Sequence, residues 1–276
     1  MVIAGCGFLG EAAAVLFSGM GCRVLGLCAS RESAGRLAGA PFEVRAADIT
    51  GGLSDVPEEW NGAEVVVHCA SSGRGGADAY RAVYRDGLAR LLERLRPGRV
   101  VFTGSTSVYA QTDGGWVDEQ SPACPDRETG QVLLEAERLA LDAGGVVARF
   151  SGIYGPGRSV LLRKFLEGTA VLEAGGMRWI NQIHRDDGAR ALVHLANPGV
   201  APGIYNVCDD TPATQADVFR WIADALGRPL PPSGPADPGR KRGWTSKRVR
   251  NTKLRASGWA PAFPSYASAL RGLIAS

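Results

Sequence analysis

Several things are scarce in this 276-residue sequence, and each scarcity narrows what the chain can be. It has 6 cysteines with no C-x-x-C pair and no regular spacing, which argues against a disulfide framework. Most sit in apolar runs, as Cys22, Cys28 and Cys69 do, and read as small buried hydrophobes of a reducing cytoplasm. No metal site is expected. No apolar run is long enough to span a bilayer and no signal peptide is visible, so no membrane partner is expected and the compartment reads as cytoplasmic. The formal net charge of +3 is too slight to imply nucleic acid. There is no internal repeat and no low-complexity tract.

What is present starts at the first residue. Met1 to Ala4 is a short apolar strand, so either the true start lies slightly upstream or the first strand is short. Gly5-Cys-Gly-Phe-Leu-Gly10 follows, and Glu11 to Met20 continues with apolar residues at helical spacing, closed by Gly21. A G-x-G-x-x-G between a strand and a helix is the context a dinucleotide fingerprint requires. Gly5 allows the tight turn, Gly7 lets backbone approach a pyrophosphate, and Gly10 lets the helix pack close to the strand. Phe8 and Leu9 complete the loop, and the free amides of the helix start face the phosphates.

Strand and helix patterns then alternate. Strands are expected over Cys22–Cys28, Phe42–Ala47, Glu64–Cys69 and Arg99–Thr103, with a helix over roughly Ala77–Leu95. Five βα repeats imply a doubly wound parallel sheet with ligands at the carboxyl ends of its strands. At 45% hydrophobic, the chain can bury a two-sided core. After the second strand come Ala29, Ser30 and Arg31, with no acid until Glu32. A hydroxyl and a guanidinium suit a 2′-phosphate, which favours NADP over NAD; the alternative is that Arg31 is a solvated helix-start residue. Near Pro229 to Gly239 the chain turns rich in proline and glycine, a surface connection.

These segments together resemble the extended short-chain dehydrogenase/reductases, which include the NAD-dependent epimerase/dehydratases of nucleotide sugars. The glycine loop resembles the family's own, and Asp48-Ile49 its Asp-Leu/Ile pair, where the Asp contacts the adenine. Val66-Val67-His68-Cys69-Ala70, with Ser71 after it, resembles the fourth-strand segment beside the cofactor. Val101 to Tyr109 resembles the fifth-strand segment, which puts the catalytic Ser/Thr on Ser105; Ser107 and Tyr109 in the same turn are substrate candidates, although in the family the position of Tyr109 tends to be structural. Arg149-Phe-Ser-Gly-Ile-Tyr-Gly-Pro-Gly157 resembles the loop next to nicotinamide and substrate. Asn181 to Asp187 and Gly203 to Val207 resemble the segments that return to the core.

The family's chemistry rests on Tyr-x-x-x-Lys, in which the lysine lowers the tyrosine pKa and the tyrosine moves the proton. Here those positions fall on Thr129 and Leu133. No tyrosine has a lysine four residues on: those positions hold Tyr84, Leu88, Asp113, Arg158, Asp209 and Leu270. A threonine hydroxyl has no accessible pKa near neutrality, and a leucine tunes none. Ser105 remains to orient a substrate oxygen. Tyr154, with Arg158 nearby, and His184 are the other candidates, each weighed against a plainer reading as a packed aromatic or a helix-start residue. Cys124, in the Pro122-Ala-Cys-Pro125 loop, is a further nucleophile candidate with nothing adjacent to activate it. Eight of the sixteen residues from Arg240 to Arg255 are Lys or Arg. They read as a solvated loop, or as an anion site through Arg242 or Arg248, with nucleic acid the weakest option since only Trp244 interleaves.

The expectation is therefore an α/β, Rossmann-type doubly wound parallel sheet with a small C-terminal substrate lobe. Residues 1–150 form the NAD(P)-binding domain, completed by about 183–213; residues 151–182 and 214–276 form the lobe. The function expected is an NADP- or NAD-binding oxidoreductase or epimerase/dehydratase-like enzyme. It acts on a small polar substrate, an anionic one included, through a non-standard proton relay. The alternative is a non-catalytic NAD(P)(H)-binding redox-sensing or interaction module. A homodimer is common in the family.

Overall fold

The computed structural model describes residues 1–73, 75–236 and 245–275. In chain order the principal elements are β1 (Val2–Ala4), α1 (Phe8–Gly19), β2 (Leu25–Cys28), α2 (Arg31–Gly35), β3 (Glu43–Ala46) and β4 (Val65–His68). Next come α3 (Ala77–Tyr80), a π-helical turn over Arg81–Asp86, α4 (Gly87–Leu95), β5 (Arg99–Ser105), α5 (Glu128–Asp142) and β6 (Val146–Phe150). Then follow α6 (Val160–Leu166), α7 (Arg185–Ala196), β7 (Gly203–Val207), α8 (Gln215–Leu226), α9 (Thr252–Ala256) and α10 (Tyr266–Ala275).

The seven strands form one sheet in the order β7-β6-β5-β4-β1-β2-β3, a Rossmann-like α/β fold. β1 pairs parallel with both β2 and β4, β2 with β3, and β4 with β5. Every residue of β1, β2, β4 and β6 is buried, because helices cover both faces of such a sheet. The strand order reverses between β1 and β4, the place where open α/β sheets leave a crevice.

The pattern of βα repeats fails once. Between β3 and β4 there is only a one-turn 3₁₀ segment, Glu58–Trp60. Leu53, Val56, Trp60 and Ala63 of that connection do a helix's work, packing with Leu91 and Leu95 of α4 against Val2, Leu25 and Val66. β5 runs two residues further than its apolar pattern, to Ser105.

The chain divides into two compact units. The first comprises 1–108, 124–149 and 188–205; the second comprises 109–123, 150–187 and 206–276. The second has its own core, where Leu162 and Phe165 of α6, Val218, Phe219 and Ile222 of α8, and Tyr266, Leu270 and Leu273 of α10 meet. α8 starts with a reciprocal cap: Asp217 N–H donates to Thr214 Oγ1 and Thr214 N–H to Asp217 Oδ2, both at 3.1 Å. Among the described residues, no helix is long and apolar enough to cross a membrane, and no group of three or more His, Cys, Asp or Glu is placed to hold a metal ion.

Candidate active site

The glycine loop sits at the reversal point, and its three glycines have three different surroundings. Gly5 has φ +94°, and a Cβ there would lie 2.3 Å from the Ala70 amide nitrogen, so β4's exit presses on the turn. A Cβ on Gly10 would lie 2.3 Å from the Gly5 carbonyl oxygen, so α1 leaves the turn with no room for a side chain. A Cβ on Gly7 would meet nothing within 4 Å. Gly7 is also the N-cap of α1, and no side chain caps that end. Open space over an uncapped helix start suits a phosphate. Phe8 and Leu9 form the first turn.

The rest of the rim lies in the same unit. Ser30 is exposed and caps α2, its Oγ accepting from Ser33 N–H at 3.1 Å. Arg31 is exposed at the first position of α2, while Arg36 is tied to Glu32 at 3.0 Å. Asp48 Oδ1 accepts from the amide and hydroxyl of Thr50, both at 2.9 Å, and Ile49 is buried. Cys69 and Ala70 are half-buried and Ser71 is exposed. Burial pushes the Cys6 thiol up to about 12 and also raises Cys69, so neither is a thiolate near neutrality. Cys22, like Cys69, is half-buried rather than fully enclosed, and Cys124 is exposed.

At the end of β5, Ser105 Oγ accepts from Ser107 N–H at 3.2 Å, which leaves the Ser105 proton to donate. Thr129 is half-buried and Leu133 is 4% exposed on the buried face of α5. The titratable group on the buried face of that helix is Glu137, one turn beyond Leu133. Glu137 is held by Arg149, with Nε donating to Oε1 at 2.9 Å and Nη2 to Oε2 at 2.6 Å.

Four expected residues fall in the second unit. Tyr109 is fully buried and donates to Asn206 Oδ1 at 3.0 Å. Tyr154 is 2% exposed, with ring centroids 4.8 Å from Tyr266 and 5.4 Å from His184. Burial raises its phenol far above the usual range, the behaviour of a packed aromatic wall. His184 is 4% exposed; its Nδ1 accepts from Asp186 N–H at 3.3 Å and its ring lies 4.2 Å from Phe263. Arg158 is exposed and closes the tight Gly155–Arg158 turn.

The basic tail is not a simple solvated loop. Lys247 is 5% exposed and donates to the Tyr109 carbonyl at 2.6 Å. Arg248 donates to the Gly114 carbonyl at 2.8 Å and lies 4.9 Å from the ring centroids of both Trp116 and Trp179. Arg242 and Trp244 lie outside the described residues.

Sequence reasoning missed Tyr84, in the π-helical turn. Its hydroxyl donates to Ser71 Oγ at 3.5 Å. His68, fully buried at the end of β4, reaches the Val83 carbonyl with Nε2 at 3.0 Å and anchors the turn. The only hint in the sequence is two tyrosines four apart, Tyr80 and Tyr84, in the helix between the fourth and fifth strands.

The family model for the NAD-dependent epimerase/dehydratase family matches residues 1–208. This chain belongs to that family. Within the epimerase/dehydratase family it is similar to the 3-diazoavenalumate denitrifying reductase of a Streptomyces species, 31% identical over 67% of this chain and 69% of that protein. It is also similar to the structure of a Methylobacillus flagellatus protein provisionally assigned as an NAD-dependent epimerase/dehydratase. That likeness has 31% identity and a TM-score of 0.78 and covers 99% of this chain and 97% of the other. The dTDP-glucose 4,6-dehydratase of Bacillus anthracis, solved in complex with NAD, shares the fold at 19% identity with a TM-score of 0.82 over 99% and 94% of the two chains. Against that background the epimerase/dehydratase glycine loop is intact here, whereas the α5 pair is replaced by Thr129 and a buried Leu133.

Proposed function

We propose that the chain is a nicotinamide-dependent oxidoreductase or epimerase-like enzyme, with NADP(H) preferred, acting on a small polar substrate. The observation that carries this reading is the glycine cradle, in which Gly5 and Gly10 are sterically obligatory while the space over Gly7 is open. A dinucleotide fits it: the backbone at Gly7, Phe8 and Leu9 takes the pyrophosphate, and Ile49 and Asp48 take the adenine. Asp48 has Oδ2 to spare for the ligand, since Thr50 uses only Oδ1. Arg31 takes the 2′-phosphate, with Ser30 presenting it as the helix cap. Cys69, Ala70 and Ser71 wall the far side. The bound cofactor supplies or removes a hydride. Ser105 donates its proton in a hydrogen bond that orients the substrate oxygen, beside Ser107. Tyr109, Arg158 and His184 belong to the unit that we assign to substrate, and a reductase among the relatives supports a reductive direction.

The test is calorimetric titration of the purified protein with NADP⁺, NADPH, NAD⁺ and NADH, after an absorbance check for co-purified cofactor. Exchangeable NADPH binding, stronger than NADH, is the expected result. Tight co-purified NAD(H) overturns the NADP preference, and equally weak binding of all four overturns the enzyme reading. The replacement of the Tyr/Lys positions by Thr129 and Leu133 favours a second reading, a redox-sensing binding module, which turnover of any substrate eliminates.

A further inference from the structure

The hydroxyl missing from α5 has a counterpart on the element beside it. The turn Arg81–Asp86 is π-helical, inside a helix that otherwise runs from Ala77 to Leu95. Such turns insert a residue and re-aim the side chains around them, so they need holding in place. This one is held from two sides. Arg81 pairs with Glu128 at 3.0 Å and Arg85 with Glu135 at 3.4 Å, so the turn is clamped to α5 across the stretch that carries Thr129 and Leu133. On the opposite side, His68 takes the Val83 carbonyl at 3.0 Å.

Tyr84 projects from this clamped turn toward the carboxyl end of β4. Its ring lies 5.0 Å from Tyr80, 6.0 Å from His68 and 6.3 Å edge-on from Phe102, which fixes its direction. Its hydroxyl is aimed at Ser71 Oγ, 3.5 Å away, and Ser71 is exposed. In the β4–β5 register His68 lies opposite Phe102. Three residues further on, β5 ends in Ser105, and Ser71 follows in the loop that leaves β4. Tyr84, Ser71 and Ser105 thus gather at the carboxyl end of one strand pair, next to the strand that carries the glycine loop.

We propose that Tyr84 and Ser71 form the proton relay of this chain, in the role that its α5 positions cannot fill; the inference rests on the enzyme reading above. In the reductive direction, a hydride from a reduced nicotinamide forms the new C–H bond at the substrate's carbonyl carbon and the C=O π pair moves to oxygen. That oxygen takes the Ser71 proton, Ser71 takes the Tyr84 proton along the existing hydrogen bond, and the Tyr84 phenolate is reprotonated from solvent water. Oxidation runs the same transfers backwards. A 3.5 Å contact is long for such a bond, as is common before substrate closes a site.

A phenol beside an oxidised nicotinamide is acidified by its positive charge, which provides a readout that needs no substrate. The experiment is a tyrosinate absorbance titration of the full chain, alone and saturated with NADP⁺ or NAD⁺, with binding established by calorimetry. The expected result is that one phenol's pKa falls by about one pH unit or more when the oxidised cofactor is bound. Tyr84→Phe keeps the ring and its packing; it is expected to bind cofactor within about twofold of the parent and to lose the shift, whereas Tyr154→Phe retains it. Cofactor binding with no shifted phenol, or a shift that survives Tyr84→Phe, overturns the relay and leaves the enzyme reading standing. Failure of the parent to bind either cofactor overturns both.

Discussion

Arg149 grips both carboxylate oxygens of Glu137 through the Nε–Nη2 edge of its guanidinium, and neither residue exceeds 3% exposure. The pair fastens α5 to β6, and it also reaches the strand that ends in Ser105: a Cβ on Gly104 would lie 3.1 Å from Glu137 Oε1. Two buried charges gain little over a well-packed apolar pair, but breaking one partner leaves the other uncompensated. Glu137→Ala is therefore expected to lower the unfolding free energy by about 3–5 kcal/mol in urea denaturation. The double replacement Glu137→Leu with Arg149→Met is expected to recover most of that loss. Equal losses in the single and double variants would show that the charge pairing is not what matters.

The three loop glycines separate stability from binding. Gly7→Ala adds a methyl into open space and is expected to change stability by no more than about 0.5 kcal/mol while weakening NADPH binding tenfold or more by calorimetry. Gly10→Ala and Gly5→Ala force a methyl onto backbone and are expected to cost about 1–3 kcal/mol, Gly5 more because its φ is +94°. If Gly7→Ala binds NADPH like the parent, the cradle assignment fails.

Arg31 tests cofactor choice. Arg31→Ala is expected to weaken NADPH binding about tenfold, a loss near 1.4 kcal/mol, and to leave NADH within twofold. Parallel losses for both cofactors would mean that Arg31 does not read the 2′-phosphate.

Two buried groups make stability depend on pH in opposite senses. Burial lowers the His68 imidazole from 6.5 to about 4, so its contribution is present above 6.5 and is lost as pH falls toward 4. Burial raises the Asp209 carboxyl from 3.8 to about 8, so its contribution is present below 3.8 and is lost as pH rises toward 8. Each acting alone gives a slope of about 1.4 kcal/mol per pH unit. They oppose one another from about pH 4 to 6.5, and from 6.5 to 8 Asp209 acts without His68. Urea denaturation at pH 5, 6.5 and 8 is expected to show a fall over the last interval that Asp209→Asn flattens. A fall that persists in Asp209→Asn would assign it to other groups.

The parts of this protein that are legible in its sequence are those where backbone geometry dictates residue type. Gly5 and Gly10 are legible because any side chain there would overlap a neighbour, and β1, β2 and β4 because strands buried on both faces need unbroken apolar runs. Parts set by distant partners are not legible. The 47–64 connection reads like a repeat but packs without a helix. A π-helical turn has the composition of an ordinary helix, so Tyr84 gives no local signal of where it points. Lys247 looks like one cation in a basic run, and only its partner at Tyr109, 138 residues away, explains why it is buried.

Leu133 has a consequence for the history of the fold. It lies on the same inward face of α5 as Val132 and Ala136, almost wholly enclosed. A lysine restored there would carry its ammonium into an enclosed site one turn from Glu137, whose carboxylate Arg149 already holds, and burial would lower its pKa. Reinstating the pair by exchanging two residues would therefore yield a lysine unable to do a lysine's work. The departure has become part of the masonry of the first unit, and a path back would require re-excavating its wall before any chemistry returned.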